Sequence, residues 1–505
     1  MSHFVTNTDA PSSAPQYKIP KILHQLWIGD QSKRPALLME TWKKMHPDWE
    51  YIAWDEAELE KRGVVLECQQ QIKDIPEING KADIIRWNIL YQYGGVFEDA
   101  DSICLDSLDP DIFLTKNGFS CYENEDTRKG LVCCGSMGFP PKHPLLRDIL
   151  DSISKLDLRP EVCNLKAWVT CACVLETNLL NTGNYPDFTV FPSHMFIPHH
   201  FSGPRYQGHK RVYAYQAWGS TYKSYQVLNG IAIPPDLLPP PEDKWVSVLI
   251  SSYNTPEKYI QECLDSIRMQ TGHFGMQIVW VNDGSDQAHT DSLRKQLSVF
   301  EKTSRFCKVK YHELSENMGI AVALHEGVKI CDHSLIIKMD SDDIMRPHRI
   351  ATQIGFMEKN PGAVICGANI QFFRAVDNGN KNYLNQTSHP AVVEYESYRR
   401  NPVAWFFNHP PMCVRKAKLI SAGNYNKSLT KTPFEDFEME LRMLKKYGKV
   451  YNIQDVLLNY RLHDGQVTHK MNADPGKWGD LRKKIIDTYS TGSAGGHKKK
   501  MGMNL

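Results

Sequence analysis

The sequence predicts an α/β protein built from two doubly wound, Rossmann-like domains. Three observations carry that expectation. Apolar, strand-like runs alternate with helical stretches in both halves of the 505-residue chain. A proline-rich segment, IPPDLLPPPEDK, separates the halves. Acidic and amide side chains gather just after the strand-like runs, where open α/β sheets bind ligands.

The first half opens on IPKILHQLWIG (19–29), which reads as a buried strand closed by glycine. A helix is expected around Pro35 to Lys44, then a short strand in WEYIAW. The stretch from Lys81 to Leu105 reads as a helix, a Gly94-Gly95 stop and a strand. Asp83 and Arg86 stand three apart, near one another on one helix face. Asp99 and Asp101 stand two apart, so along a strand they share a face. Two carboxylates at a strand end suit a hard divalent cation carrying a diphosphate. A second acid pair, Asp109 and Asp111, brackets Pro110 and reads as a loop. Further strands are expected at 118–122 and 131–139, and a helix at 143–156.

The proline-rich segment is a semi-rigid spacer and marks the domain boundary. WVSVLISSYN then reads as a buried strand, followed by a helix at 256–269. MQIVWVNDGSD is a second strand, 291–300 a helix, and KVKYHE a third strand. ENMGIAVALHEGVKIC reads as a loop and helix, and SLIIKMDSDD as a fourth strand. The polar ends are Tyr253-Asn254, Asn282-Asp283, Asn317 and Asp340-Ser341-Asp342-Asp343. A nucleoside diphosphate needs a ring for its base, a carboxylate or amide for base and ribose, and a cation for its phosphates. Tyr253, Asp283 and Asp342 are those types in that order.

Hydrophobic residues make up 41% of the chain and charged residues 23%, as in a soluble globular protein. The formal net charge of +1 argues against nucleic acid as a partner. No apolar run is long enough for a transmembrane segment, and the N-terminal stretch lacks the apolar core of a signal peptide. The expected setting is cytoplasmic, with peripheral membrane contact left open. Residues 1–18 and 473–505 are expected to be disordered or flexible tails. There are 13 cysteines. Cys133-Cys134 and Cys171/Cys173 are too close together in sequence to suggest a disulfide framework, and all read as free thiols.

Residues 19 to about 222 resemble glycosyltransferase family 32 through IPKILHQLWIG and ADIIRWNILYQYGGVFEDAD. Residues 245 to about 470 resemble glycosyltransferase family 2 through VSVLISSYN, VNDGSD, ENMGIAVALHEG, MDSDD and FEDFEMELRM. The resemblances imply two GT-A-type nucleotide-sugar-binding domains, 19–228 and 245–472, with 229–244 as the linker. The first implies a retaining, Mn²⁺-dependent transfer. Trp27 would stack on the base, Asp83 and Arg86 would contact sugar and ribose, Asp99 would serve the donor and Asp101 the metal. The second implies an inverting transfer, with Asp436 of the Glu435-Asp436 pair as base. There Tyr253, Asn254, Asp283, Asn317 and Asp340 would bind the donor, and Asp342 and His463 the metal. Read without the resemblance, Glu435 to Glu440 is a charged first helical turn.

Two positions depart from the first family's pattern. Thr170-Cys171-Ala172 replaces a Thr-Gly-Pro segment, and Gln216 stands where a metal-binding His is expected. The expected protein is a bifunctional glycosyltransferase using Mn²⁺ or Mg²⁺ and nucleotide sugars, UDP-sugars by default and GDP-sugars as the other option. Its acceptor would be a glycan or glycoconjugate. The alternative is that only the C-terminal domain is catalytic and the N-terminal one binds nucleotide or glycan.

Overall fold

The computed structural model of the chain describes residues 17–376, 380–402, 405–430, 432–464 and 475–490. The expected N-terminal tail, but for its last two residues, lies outside them, as does 491–505. The chain divides into two compact units, Met1–Tyr206 with Val212–Pro234, and Gln207–Arg211 with Pro235–Leu505. The main division falls inside the proline-rich stretch, where Pro235–Leu237 and Glu242–Lys244 form short 3-10 turns.

In the first unit a six-stranded sheet runs β2 (Glu50–Trp54), β1 (Ile22–Leu26), β3 (Gly95–Glu98), β6 (Arg128–Phe139), β5 (Phe119–Asn124), β7 (Thr189–Phe191). β1 pairs in parallel with both β2 and β3. β6 is antiparallel to β3 and to β5. The sheet is therefore mixed rather than wholly parallel. The short link at 125–127 between β5 and β6 allows only an antiparallel hairpin. A separate ribbon pairs β4 (Ser102–Cys104) with β8 (Ala214–Gln216). The helix Ile78–Tyr93 ends at Gly94, whose N–H donates to Leu90 O at 2.8 Å with φ at +63°. A Cβ on Gly95 would lie 2.7 Å from Ile22 O, so glycine lets β3 start hard against β1.

In the second unit the sheet runs β11 (Cys307–Glu313), β10 (Gly275–Asn282), β9 (Trp245–Ser252), β12 (Leu335–Asp340), β17 (Cys413–Arg415), β14 (Ile365–Ala375), β18 (Lys449–Arg461), β13 (Ile344–Met345). β15 (Lys381–Gln386) pairs with β14, and β16 (Val392–Glu394) with β18. β9 to β12 form a parallel block, and β17 runs antiparallel beside it. Strand alternation sorts the core. Val248, Ile250, Ile278 and Trp280 join one apolar cluster, and Leu249, Val279 and Val281 the other.

Three local expectations are corrected. The strand after Gly95 stops at Glu98, so Asp99 and Asp101 sit in a turn closed by Ser102 N–H to Asp99 O at 3.1 Å. Strand alternation therefore does not orient them. Asp109 is a helix cap rather than part of a loop: its side chain accepts Asp111 N–H at 2.9 Å, and Pro110 opens the helix Pro110–Phe113. Residues Pro475–Ser490 form a helix rather than a flexible tail. Ile485 is 6% exposed, and Trp478, Leu481, Ile486 and Tyr489 pack against the cluster that holds Phe434 and Phe437. Sequence reading stopped at the lysines and glycines and missed this apolar face. No helix among the described residues is long and apolar enough to cross a membrane.

Ile485→Ala should lower the unfolding free energy of the second unit by about 2–4 kcal/mol. Denaturant melts followed by tryptophan fluorescence would measure it. A loosely attached segment would show no change.

Candidate active sites

In each unit the first strand lies inside the parallel block, so the chain leaves it to opposite sides. β1 lies between β2 and β3, and β9 between β10 and β12. Loops at the carboxyl ends diverge there and leave a crevice. Trp27 follows β1 and Asp99 follows β3; Tyr253 follows β9 and Asp340 ends β12.

The first site is an acidic cluster around one arginine. Arg86 Nη2 lies 2.7 Å from Asp99 Oδ1 and 3.3 Å from Asp83 Oδ1. Its Nη1 donates to Cys134 O, and the guanidinium lies over the Phe97 ring at 4.7 Å. Asp101 accepts Gly219 N–H at 2.7 Å and the Gln216 amide at 2.9 Å. The same amide lies 3.4 Å from Asp99 Oδ2. The β4–β8 ribbon, with Ser102 opposite Gln216, brings that amide in. Burial pushes Asp83 up to about 7, opposed by Arg86. Burial, with Asp99 adding, pushes Asp101 up to about 6, opposed by Gly219 and Gln216. Trp27 is half-buried, its indole N–H donating to Asp30 O at 3.0 Å and its ring edge-on to Tyr225 at 5.1 Å.

Sequence reasoning missed two supports of this site. His24 is fully buried between Trp54 Nε1–H, 3.0 Å from its Nδ1, and Gly94 O, 2.8 Å from its Nε2. Burial lowers it to about 4, so it is a neutral strut tying β1 to the helix stop. Gly135 on β6 faces Asp99: a Cβ there would come within 2.7 Å of Asp99 Oδ2.

In the second site Asp342 Oδ2 meets His463 Nε2 at 2.8 Å, although 121 residues separate them. Arg461 makes this meeting possible. It is buried between the rings of Tyr259 (4.2 Å) and Phe373 (4.8 Å), and its Nε donates to Asp342 O at 2.6 Å. Its backbone N–H donates to Asp343 at 2.8 Å. Asp340 pairs with Lys338, a lysine only 2% exposed. Asp283 accepts Met318 N–H at 2.8 Å and Gly319 N–H at 2.9 Å, with the Asn317 amide at 3.3 Å. That carboxylate thus shapes the 317–319 loop. Tyr253 is 52% exposed, with its ring open to solvent. Asn254, at φ +46°, accepts Asp286 N–H at 2.9 Å.

The helix Glu435–Tyr447 begins at the expected acid pair. Glu435, Glu438 and Glu440 are buried, which a solvated helical turn would not allow; Asp436 is half-buried. Burial raises Asp436 to about 6, opposed by the Phe437 N–H and Lys338, with Asp340 adding to the rise. Burial and then Asp436 push Glu435 well above the usual range, and its Oε2 has no partner among the described residues.

Residues 247–425 match the family model described as glycosyl transferase family 2. Residues 32–117, which carry Asp83, Arg86, Asp99 and Asp101, match the model described as the glycosyltransferase sugar-binding region containing a DXD motif. The chain is 33% identical over 228 residues to the amylovoran biosynthesis glycosyltransferase AmsE of Erwinia amylovora, covering 44% of this chain and 79% of that protein. The chain belongs to glycosyl transferase family 2. It is also similar to an Escherichia coli UDP-Gal:alpha-D-GlcNAc-diphosphoundecaprenol beta-1,3-galactosyltransferase, at 29% over 217 residues, 43% of this chain and 73% of that one. A third relative, inositol phosphoceramide mannosyltransferase 3 of Schizosaccharomyces pombe, is 26% identical over 141 residues, 27% of this chain and 38% of that one. This family-2 protein is a two-domain glycosyltransferase. Asp436 and His463 lie beyond the matched 247–425 region, so their assignment rests on position and geometry.

Gly135→Ala should displace Asp99 and break its pair with Arg86. Nucleotide-sugar turnover that depends on the first unit should fall by about tenfold or more, since an ångström of misplacement costs this much or more. Unchanged turnover would mean that Asp99 is not held by this contact.

Proposed function

We propose that the protein is a bifunctional, metal-dependent glycosyltransferase, retaining in the first unit and inverting in the second, that adds successive sugars to one glycan. The observation that carries this reading is the presence of two separate acidic crevices, each at the switch point of its own sheet.

The donor sets are of the right chemistry for a divalent cation. In the second unit a carboxylate and an imidazole, Asp342 and His463, already touch. In the first, turning over the Gln216 amide presents an oxygen beside Asp101. A cation bound at either set would neutralise the departing diphosphate. In the second unit Asp436 takes the acceptor hydroxyl's proton as that oxygen attacks the anomeric carbon, and the nucleoside diphosphate leaves from the opposite face. Lys338 offsets the charge of Asp340 beside it. Tyr253 offers an open ring for the base. In the first unit Arg86 and Asp83 would hold the sugar and ribose. Among the described residues of that unit no carboxylate is assigned as a base, which fits a front-face transfer in which the leaving phosphate accepts the proton.

One observation favours the alternative, a first unit that binds without turnover. Both oxygens of Asp101 are already satisfied within the protein, by Gly219 and Gln216. The full chain with Asp101→Ala and, separately, Asp436→Asn distinguishes the readings when released nucleotide is measured with UDP- and GDP-sugars. With both the glycan acceptor and its singly extended form supplied, each variant should abolish one donor's turnover and spare the other's. If Asp101→Ala changes no turnover, the first unit is a binding module.

The base also sets a pH dependence. Asp436 must be ionised to accept a proton, and its value is raised to about 6 from an ordinary 3.8. Activity of the second unit is therefore complete well above pH 6 and falls tenfold per pH unit below it. Asp436→Asn should cost roughly 10²–10⁴-fold. An acid limb near pH 4 would contradict a base raised in this way.

A further inference from the structure

We propose that Cys134 and Cys173 are an oxidation site, forming a disulfide that loosens the Asp83–Arg86 helix. Their sulfurs lie 3.1 Å apart, and about one ångström of travel brings them to a disulfide bond of about 2.05 Å. Cys134 is buried on β6, while Cys173 is partly exposed at the start of the helix Cys173–Leu180. Both flank the anchors of the helix Ile78–Tyr93. Arg86 Nη1 donates to the carbonyl of Cys134 itself. Trp87 Nε1 donates at 2.8 Å to the carbonyl of Cys171, two residues before Cys173. Drawing the two sulfurs together strains both anchors at once. The residues they hold, Asp83, Arg86 and through it Asp99, are the first unit's donor contacts, so the consequence for activity rests on the function proposed above.

The neighbourhood makes Cys173 the reactive sulfur. Side-chain hydrogen bonding with Cys133 and Cys134 holds it, against burial, below the usual thiol range, with Arg86 adding its charge. Access and thiolate character are what select an oxidisable cysteine. The oxidant is a hydroperoxide. The Cys173 thiolate attacks a peroxide oxygen, breaking the O–O bond and, for hydrogen peroxide, releasing water after protonation. The Cys134 sulfur then attacks the resulting Cys173 sulfenic acid, and its thiol proton leaves with the displaced hydroxide. Two thiols and one hydrogen peroxide give one disulfide and two waters.

The test treats the full chain with hydrogen peroxide, blocks free thiols, and maps cross-linked peptides by mass spectrometry. The expected product links 134 to 173, is reversed by dithiothreitol, and is absent from Cys173→Ser and from Cys134→Ser. Hydrogen exchange across residues 78–93 should speed up roughly tenfold in the oxidised protein. Absence of the 134–173 link, with oxidation elsewhere, overturns the site. A 134–173 link with unchanged exchange overturns the coupling. Neither readout needs the first unit to be a transferase; that reading stands or falls with the Asp101→Ala turnover.

Discussion

The position of the first strand governs both units. β1 and β9 each sit inside a parallel block, with neighbours reached by chain leaving in opposite directions. Backbone hydrogen bonding fixes this order, and loops from the two sides cannot close over the shared edge. The crevice that results collects whatever follows the strands: Trp27 and Asp99 in one unit, Tyr253 and Asp340–Asp342 in the other. Chemistry at these points follows from sheet topology before any side chain is considered.

Within the crevices the two units solve the same electrostatic problem differently. Several buried carboxylates cannot all ionise without a counter-charge. The first unit places one arginine among Asp83 and Asp99 and uses amide and backbone N–H groups on Asp101. The second sets Lys338 beside Asp340, rests the His463 ring on Asp342, and uses the Arg461 backbone N–H on the Asp343 carboxylate and its Nε on the Asp342 carbonyl. Acids left with little compensation, Asp436 and Glu435, are raised, as a base working near neutral pH requires.

Much of this was legible in the sequence. Apolar runs and their polar ends located the strands because burial on both faces favours runs of apolar residues, as Ile278 to Val281 show within the fully buried β10. Motif spacing brought out Asp83, Arg86, Asp99 and Asp101, and the Asp340–Asp343 run. What was not legible depends on distant chain. The 99–101 turn is set by β4 pairing with β8, more than a hundred residues on. His24 reads as one more strand residue until Trp54 and Gly94 close around it. Lys338 lies in the apolar strand β12, where its charge looks like an interruption, and Arg461 closes the mixed strand β18, where it reads as an ordinary polar strand end. The helix Pro475–Ser490 was hidden because its apolar face is sparse and its neighbours are glycine- and lysine-rich.

The central claim is that one chain carries two transfer sites of opposite stereochemical outcome. The most direct measurement is the anomeric configuration of each new linkage, read by proton NMR on glycan product made by the full chain from its two donors. The account predicts one linkage with the donor's configuration and one inverted; with singly extended acceptor also supplied, the retained one is lost in Asp101→Ala and the inverted one in Asp436→Asn. A product with inverted linkages only, unaffected by Asp101→Ala, would contradict it.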